Sequence, residues 1–460
     1  MPEVLPMLHG FRAELRAMVR LALPVVAVQV GWMAMGVVDT LVVGRVSAHA
    51  MAAVALGNLL FLGVSIFGMG VLMALDPVIA QAVGAGDDAA VSWGVQRGLV
   101  LTLGLTVLST MALLPAGPLL VALRQPLEIV PTAVAYTRVA LGGFLPFFLV
   151  VLVRALLQAT GRVAAMVWAT LAANLLNLVL NWVLVFGHLG APAMGAIGSS
   201  WATTLSRWAL ALFMVAFSWR RVQLRVFPFR REAFSLRPLA RILALGAPIG
   251  IQYELELGIF SLVGLMMGRL GAIPMAAHQV ALNLASITFM VPLGVSIAAS
   301  VLVGHAVGRG DTREGRRAAL AALVCGVGFM ALSAIVLLSA PGALARAYTT
   351  DPGVARLAAT LIPIAGVFQV FDGTQVVSIG VLRGTGDTRT PMFVNVLGYW
   401  VIALPLAAWL GLHTRAGPVG MWWGLVVGLA VVALILVSRV RSRLRGELLR
   451  LVMDGAPAGA

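Results

Sequence analysis

Gln81-Ala82-Val83-Gly84-Ala85-Gly86-Asp87 and His305-Ala306-Val307-Gly308-Arg309-Gly310-Asp311 are one phrase written twice, 224 residues apart. The register holds upstream. Ala22-Leu23-Pro24 returns as Gly246-Ala247-Pro248, Gly44-Arg45 as Gly268-Arg269, and Met51-Ala52-Ala53 as Met275-Ala276-Ala277. Downstream, Thr160-Gly161 pairs with Thr385-Gly386, and Gly195-Ala196-Ile197-Gly198 with Gly417-Pro418-Val419-Gly420. A period of about half the chain means two copies of a single unit.

Composition says what the unit is made of. The 460 residues are 61% hydrophobic and only 11% charged, whereas a soluble chain is roughly a quarter charged. A soluble globule could not hide that much apolar surface; a bilayer can. Apolar runs of about 20 residues recur along the chain, and twelve spans are expected, near 17–41, 51–77, 94–116, 130–153, 163–187, 194–217, 241–267, 280–303, 315–338, 354–380, 391–411 and 418–438. Lipid admits only helices and closed barrels, and runs of this length are helices. Six helices return the chain to its starting side, so the copies are parallel and related by an axis along the membrane normal. The expectation is an all-α integral membrane protein of twelve transmembrane helices in two pseudo-symmetric six-helix lobes. The N-terminal lobe is 1–217, a basic cytoplasmic linker is 218–240, and the C-terminal lobe with its basic tail is 241–460.

The net charge of +15 comes with 32 basic residues, all arginine. They sit between apolar runs, which marks them as topology signals and not as a nucleic-acid footprint. With the N-terminus in the cytoplasm, 24 arginines fall in cytoplasmic segments and six in external loops, with Arg138 and Arg207 inside spans. That bias places both termini on the cytoplasmic side of the inner membrane. Residues 1–16 lack the apolar core and small-residue cleavage site of a signal peptide. Cys325 is the only cysteine, so no intrachain disulfide forms. A monomer without a cofactor is expected.

Of 17 carboxylates, Asp39, Glu254, Glu256 and Asp372 lie inside spans and Asp76 at a span end. An intramembrane acid costs at least a few kcal/mol and is a functional candidate by default, although an acid can also line a wet cavity without a role. At the repeat register Asp39 corresponds to Val263, Glu256 to Trp32 and Asp372 to about Phe147, so the acids are not repeated scaffold. Glu254 and Glu256 point to roughly opposite helix faces, while Gln252 shares a face with Glu256. Gln369, Asp372 and Gln375 form one polar stripe. Asn174, Asn177 and Asn181 form another, which interhelical hydrogen bonding would equally explain. Desolvation disfavours the charged form of a carboxylate, so an acid in a low-dielectric pocket can hold a proton near neutral pH. Ionised, it can instead hold Na⁺ or an organic cation. Mutually exclusive occupancy is the simplest basis for antiport, given that each cation prefers a different conformation.

The stretch Phe368-Gln-Val-Phe-Asp372-Gly-Thr-Gln375-Val-Val-Ser-Ile-Gly-Val-Leu-Arg383-Gly-Thr-Gly-Asp-Thr-Arg389 resembles the span-10 signature of the multidrug and toxic compound extrusion family, NorM type. Pro248-Ile-Gly-Ile-Gln252-Tyr-Glu254-Leu-Glu256 resembles its span-7 segment, and the spacing from the proline selects Glu256 over Glu254. Met35-Gly-Val-Val-Asp39-Thr resembles the span-1 segment, and Leu176-Asn177-Leu-Val-Leu-Asn181-Trp the span-5 asparagine pair. The resemblance covers about residues 15–440. It implies a cation-coupled exporter of amphipathic, often cationic, small-molecule drugs, working by alternating access between two lobes and driven by H⁺ or Na⁺. It implies a C-lobe cation site at Glu256 and Asp372, where Na⁺ could bind, and an N-lobe site at Asp39, Asn177 and Asn181. Gln252, Glu254, Phe368, Gln369 and Gln375 are candidates for the substrate cavity. Phe368 stands where NorM-type relatives often have tyrosine, and it offers a ring face to a cation but no oxygen ligand. Beyond membrane lipids and these substrates, no partner and no nucleic acid is expected.

Two other readings fit the residues less well. A lipid-linked saccharide flippase of the same broader superfamily would carry more cavity arginines. A membrane-embedded enzyme would need a site constellation, and the six histidines are scattered with no pair at metal-ligand spacing.

Overall fold

The structure is a computed structural model that describes the backbone of residues 4–453 and the side chains of residues 11–453. The described residues are helical, with no strand among them. The helices are α1 (Val4–Gly44), α2 (Ala48–Leu72), α3 (Leu75–Gly84), α4 (Asp88–Leu113), α5 (Ala116–Ala122), α6 (Val130–Leu141), α7 (Phe144–Ala159), α8 (Val163–Phe186) and α9 (Ala196–Phe217). They continue with α10 (Trp219–Val226), α11 (Leu236–Leu270), α12 (Ala272–Arg309), α13 (Thr312–Ser339), α14 (Pro341–Tyr348), α15 (Pro352–Gly384) and α16 (Arg389–Asn395). A π-helical stretch, Val396–Ala403, then leads into α17 (Leu404–Leu412) and α18 (Gly417–Arg443).

Ten helices among the described residues are long and apolar enough to cross a membrane, and α6 with α7, bent by 44°, makes an eleventh. The remaining expected span, the sixth at 194–217, corresponds to α9. It is a 22-residue helix whose Ser, Thr and Arg207 content keeps it below that apolarity, because it carries polar groups inward. Several boundaries also move. The expected span 51–77 is broken after Leu72, and α3 resumes at Leu75. α12 runs to 38 residues where 280–303 was expected, because hydropathy marks only the apolar slab and polar ends can stay helical. Residues 218–240, expected as a linker, carry α10 and a short 3₁₀ turn at Arg231–Phe234. They are held to α4 by Gln96, whose Nε2 donates to the carbonyls of Val226 at 3.1 Å and Pro228 at 3.0 Å.

Two compact units divide the chain. Among the described residues, one comprises Ala27–Gly250 with Val452 and Met453, the other Val4–Val26 with Ile251–Leu451. The unit boundaries in α1 and α11 fall two residues beyond Pro24 and Pro248.

In the first unit, glycines let helices approach closely, as expected where lipid gives no hydrophobic drive to helix association. A Cβ on Gly57 would run into the Tyr136 ring, one on Gly68 into Phe148, and one on Gly198 into the Leu184 carbonyl. The second unit uses the same device between α12 and α15. Gly380 lies against the Ser296 carbonyl and Gly384 against Ser300, and Ser296 Oγ donates to the Val376 carbonyl at 2.6 Å.

The repeated phrase builds the same turn in both units. Gly86 and Gly310 adopt left-handed φ of 68° and 71°, conformations that glycine takes at no steric cost. The next residue's N–H closes the helix end: Asp87 bonds to the Ala82 carbonyl and Asp311 to that of Ala306, each at 3.0 Å. The same aspartates then cap the following helices, accepting from Ala90 N and Glu314 N at 2.9 Å.

Candidate functional site

In the first unit, Asp39 on α1 is 3% exposed, and Asn177 and Asn181 on α8 are fully buried. The asparagines are one helical turn apart and so share a face. Both aim at one oxygen: Asp39 Oδ1 accepts from Asn177 Nδ2 at 3.2 Å and from Asn181 Nδ2 at 2.7 Å. Thr203 on α9 donates to Oδ2 at 2.6 Å. The third asparagine of the stripe, Asn174, donates instead to the Thr170 carbonyl of its own helix at 2.9 Å.

Asp39 and Thr203 border a cavity of about 260 Å³, whose wall also includes Trp32, Met33, Met35, Phe147 and Arg207. Trp32 and Phe147, with ring centroids 5.9 Å apart, occupy the positions that correspond in the repeat to Glu256 and Asp372. Where one copy holds acids, the other holds an aromatic pair.

In the second unit, Glu256 on α11 collects three amide donors on a single oxygen. Oε1 accepts from Gln252 at 3.3 Å, Gln375 at 3.0 Å and Asn395 at 2.6 Å. Tyr399 Oη donates to Gln375 Oε1 at 2.9 Å and fixes that amide's orientation. Asn395 and Tyr399 flank the start of the π-helical stretch, a wide turn of the kind often found at functional sites. Glu256 Oε2 makes no hydrogen bond to a described residue. Asp372 is close enough to Glu256 for their charges to interact, but it makes no hydrogen bond to any described residue.

The remaining candidates make no hydrogen bond to either carboxylate cluster. Gln369 is fully buried and accepts from Thr288 Oγ1 at 2.7 Å, a link between α15 and α12. Phe368 is 1% exposed and packs edge-on against Phe260 and Trp422. Glu254 is not among the partners of Glu256, in keeping with its opposite helix face. Sequence reasoning missed Thr203, Arg207, Asn395 and Tyr399. Asn395 and Tyr399 are four apart, so the polar-stripe argument that singled out Gln252 and Glu256 would have found them. Thr203 carries no comparable signal.

The MatE family profile matches residues 24–183 and 248–409, one stretch in each repeat. The chain belongs to the MatE family. This MatE protein is similar to the multidrug resistance protein NorM of Burkholderia vietnamiensis, with 38% identity over 430 residues, covering 91% of this chain and 92% of that one. It is similar to the multidrug resistance protein MdtK of Pectobacterium atrosepticum, with 33% identity over 457 residues, covering 98% of this chain and all of the relative. Among solved structures, the eukaryotic MATE transporter AtDTX14 superposes with a TM-score of 0.84 at 20% identity, covering 95% of this chain and 100% of that one. An outward-facing multidrug resistance MATE family transporter of the MOP superfamily superposes with a TM-score of 0.86 at 20% identity, covering 94% of this chain and 96% of that one. At that identity the likeness is one of fold: an all-α, multi-pass membrane protein of twelve membrane-spanning helices in two lobes, with α9 as the sixth span.

Proposed function

We propose that this MatE protein is a cation-coupled multidrug antiporter of the cytoplasmic membrane, exporting amphipathic organic compounds by alternating access between lobes 1–217 and 241–460. The names of its NorM and MdtK relatives support multidrug efflux. The observation that carries the coupling is the pair of buried carboxylate clusters. Asp39 is held by Asn177, Asn181 and Thr203, and Glu256 by Gln252, Gln375 and Asn395. In each, neutral donors orient the acid, and the nearest positive charge, Arg207 for Asp39 and Arg383 for Glu256, acts through space without forming an ion pair with it. A carboxylate so placed can take up a mobile cation, H⁺ or Na⁺. An aromatic and methionine wall beside Asp39 suits varied apolar substrates. The arginine bias supports cytoplasmic termini.

Reconstitution in proteoliposomes tests this. A pH gradient and a Na⁺ gradient are imposed separately, with an organic-cation dye as reporter. Dye movement against its own gradient under one of them is expected. Movement under neither would overturn ion-coupled export.

A further inference from the structure

The cytoplasmic bias leaves six arginines for the external loops, and two of those six meet at one place. Arg346 on α14 and Arg356 on α15, with Thr349 and Thr350 of the loop between them, border a cavity of about 590 Å³ in the second unit. On α15 the wall is one helix face, since Ala359 lies four residues beyond Ala355 and three beyond Arg356. The alanines keep that face open, and Arg356 is its only long side chain. On α14, Arg346 folds back over Gly342, where a Cβ would lie 3.6 Å from its Nη1.

Both guanidinium groups are uncommitted. Neither makes a hydrogen bond or ion pair with a described residue, and no acid borders the cavity. Asp351, in the same loop, is used instead to cap α15, its Oδ1 accepting from Val354 N at 2.8 Å. Thr349 Oγ1 accepts from Asp351 N at 3.1 Å, which leaves its O–H to donate. Every charge on the wall is positive, so the fitting ligand is an anion. The two arginines are not repeated scaffold. At an offset of 224 or 225, Arg346 corresponds to Ala122 or Val121, and Arg356 to Thr132 or Pro131.

The surroundings narrow the anion. α13 runs directly into α14, and towards that end it exposes Leu332, Ile335 and Val336, each more than half accessible. At that spacing they form one apolar face, such as acyl chains cover. Tyr348, at the end of α14, is 44% exposed, and tyrosine gathers at headgroup level.

We propose that this cavity binds the phosphodiester headgroup of an anionic phospholipid, whose chains lie against the exposed face of α13. On the proposed orientation the lipid belongs to the outer leaflet, and the site goes beyond the export reading. A guanidinium fork pairs two phosphate oxygens through parallel hydrogen bonds. Two arginines favour a headgroup of net negative charge over one whose phosphate is balanced by its own ammonium.

The test is photo-crosslinking of the purified full-length protein in nanodiscs with a phosphatidylglycerol bearing a diazirine on its headgroup, followed by peptide mapping. Wild type should be labelled within residues 342–359. The double variant Arg346→Gln with Arg356→Gln should lower that label about tenfold. The double lysine variant, which keeps the charge but loses the fork, should retain part of it. Arg45→Gln, in another external loop, should label as wild type does. Thermal unfolding in detergent checks that each variant is folded; should the double glutamine variant not fold, the single variants decide, each lowering the label about threefold. No label in this stretch of the wild type, or a label that survives loss of both arginines, would overturn the site. Equal labelling by a phosphatidylethanolamine carrying the same diazirine would overturn the requirement for an anionic lipid. Inorganic phosphate that displaces the label as well as unlabelled phosphatidylglycerol does would overturn the lipid and give the cavity to free phosphate. Transport is not read, so the outcome is independent of the export reading.

Discussion

Glu256 gathers three donors on Oε1, so a glutamine there could keep an acceptor for some of them while removing the charge. Glu256→Gln should therefore leave expression and folding intact and lower dye export at least about tenfold. Export in whole cells, read beside size-exclusion profiles, checks this; full export by the folded variant would remove Glu256 from the coupling site. Thr203→Val takes away the donor at 2.6 Å from Asp39 Oδ2 and leaves a buried acceptor unmet. The expected cost is about 1–3 kcal/mol, seen as a lower thermal unfolding midpoint, with Thr203→Ser close to wild type. The two residues also mark how far a sequence can be read. Glu256 with Gln252, and Asn177 with Asn181, are legible because helix periodicity is local. Thr203 is 164 positions from Asp39, and threonine is too common in membrane helices to stand out. Arg207 is legible as a charge within a span, but its place on the wall of the Asp39 cavity depends on helix packing.

Among elements, the α12–α15 pair has the least room for change. A side chain at Gly380 would meet both the carbonyl and the hydroxyl of Ser296. Gly380→Val should cost about 1–3 kcal/mol by overpacking, and Gly380→Ala less. Recovery of monodisperse protein after detergent extraction measures this; a Val variant as stable as wild type would show that the helices can part locally. The helices were legible as apolar runs, but their ends were not. Hydropathy changes where lipid gives way to water, whereas a helix ends where a cap or a left-handed glycine ends it, as at Gly310. The break between α2 and α3 carries no such signal. The π-helical stretch after Asn395 is equally silent in hydropathy, because Val396–Ala403 carries no charged or amide side chain.

For the whole molecule, the repeat and the arginine bias speak to membrane orientation. A green fluorescent protein fused after Ala460 should fluoresce, and alkaline phosphatase fused at the same point should be inactive. The opposite pattern would invert the proposed topology. The two copies share scaffold and differ in chemistry. Val263 and Leu429, which correspond to Asp39 and Arg207, are fully buried apolar residues, so each lobe tunes its own interior on a common frame.

The Gly86-Asp87 and Gly310-Asp311 turns bear on motion. Each ends one helix and starts the next within a few residues, with the aspartate's backbone N–H bonded backwards and its carboxylate bonded forwards. Such a joint has no slack, so α3 with α4, and α12 with α13, should tilt as stiff levers and not as independent rods. Splicing a few flexible residues in after Gly86 or Gly310 would leave every helix seated yet uncouple the pair, slowing turnover while ligand affinity stays as it was.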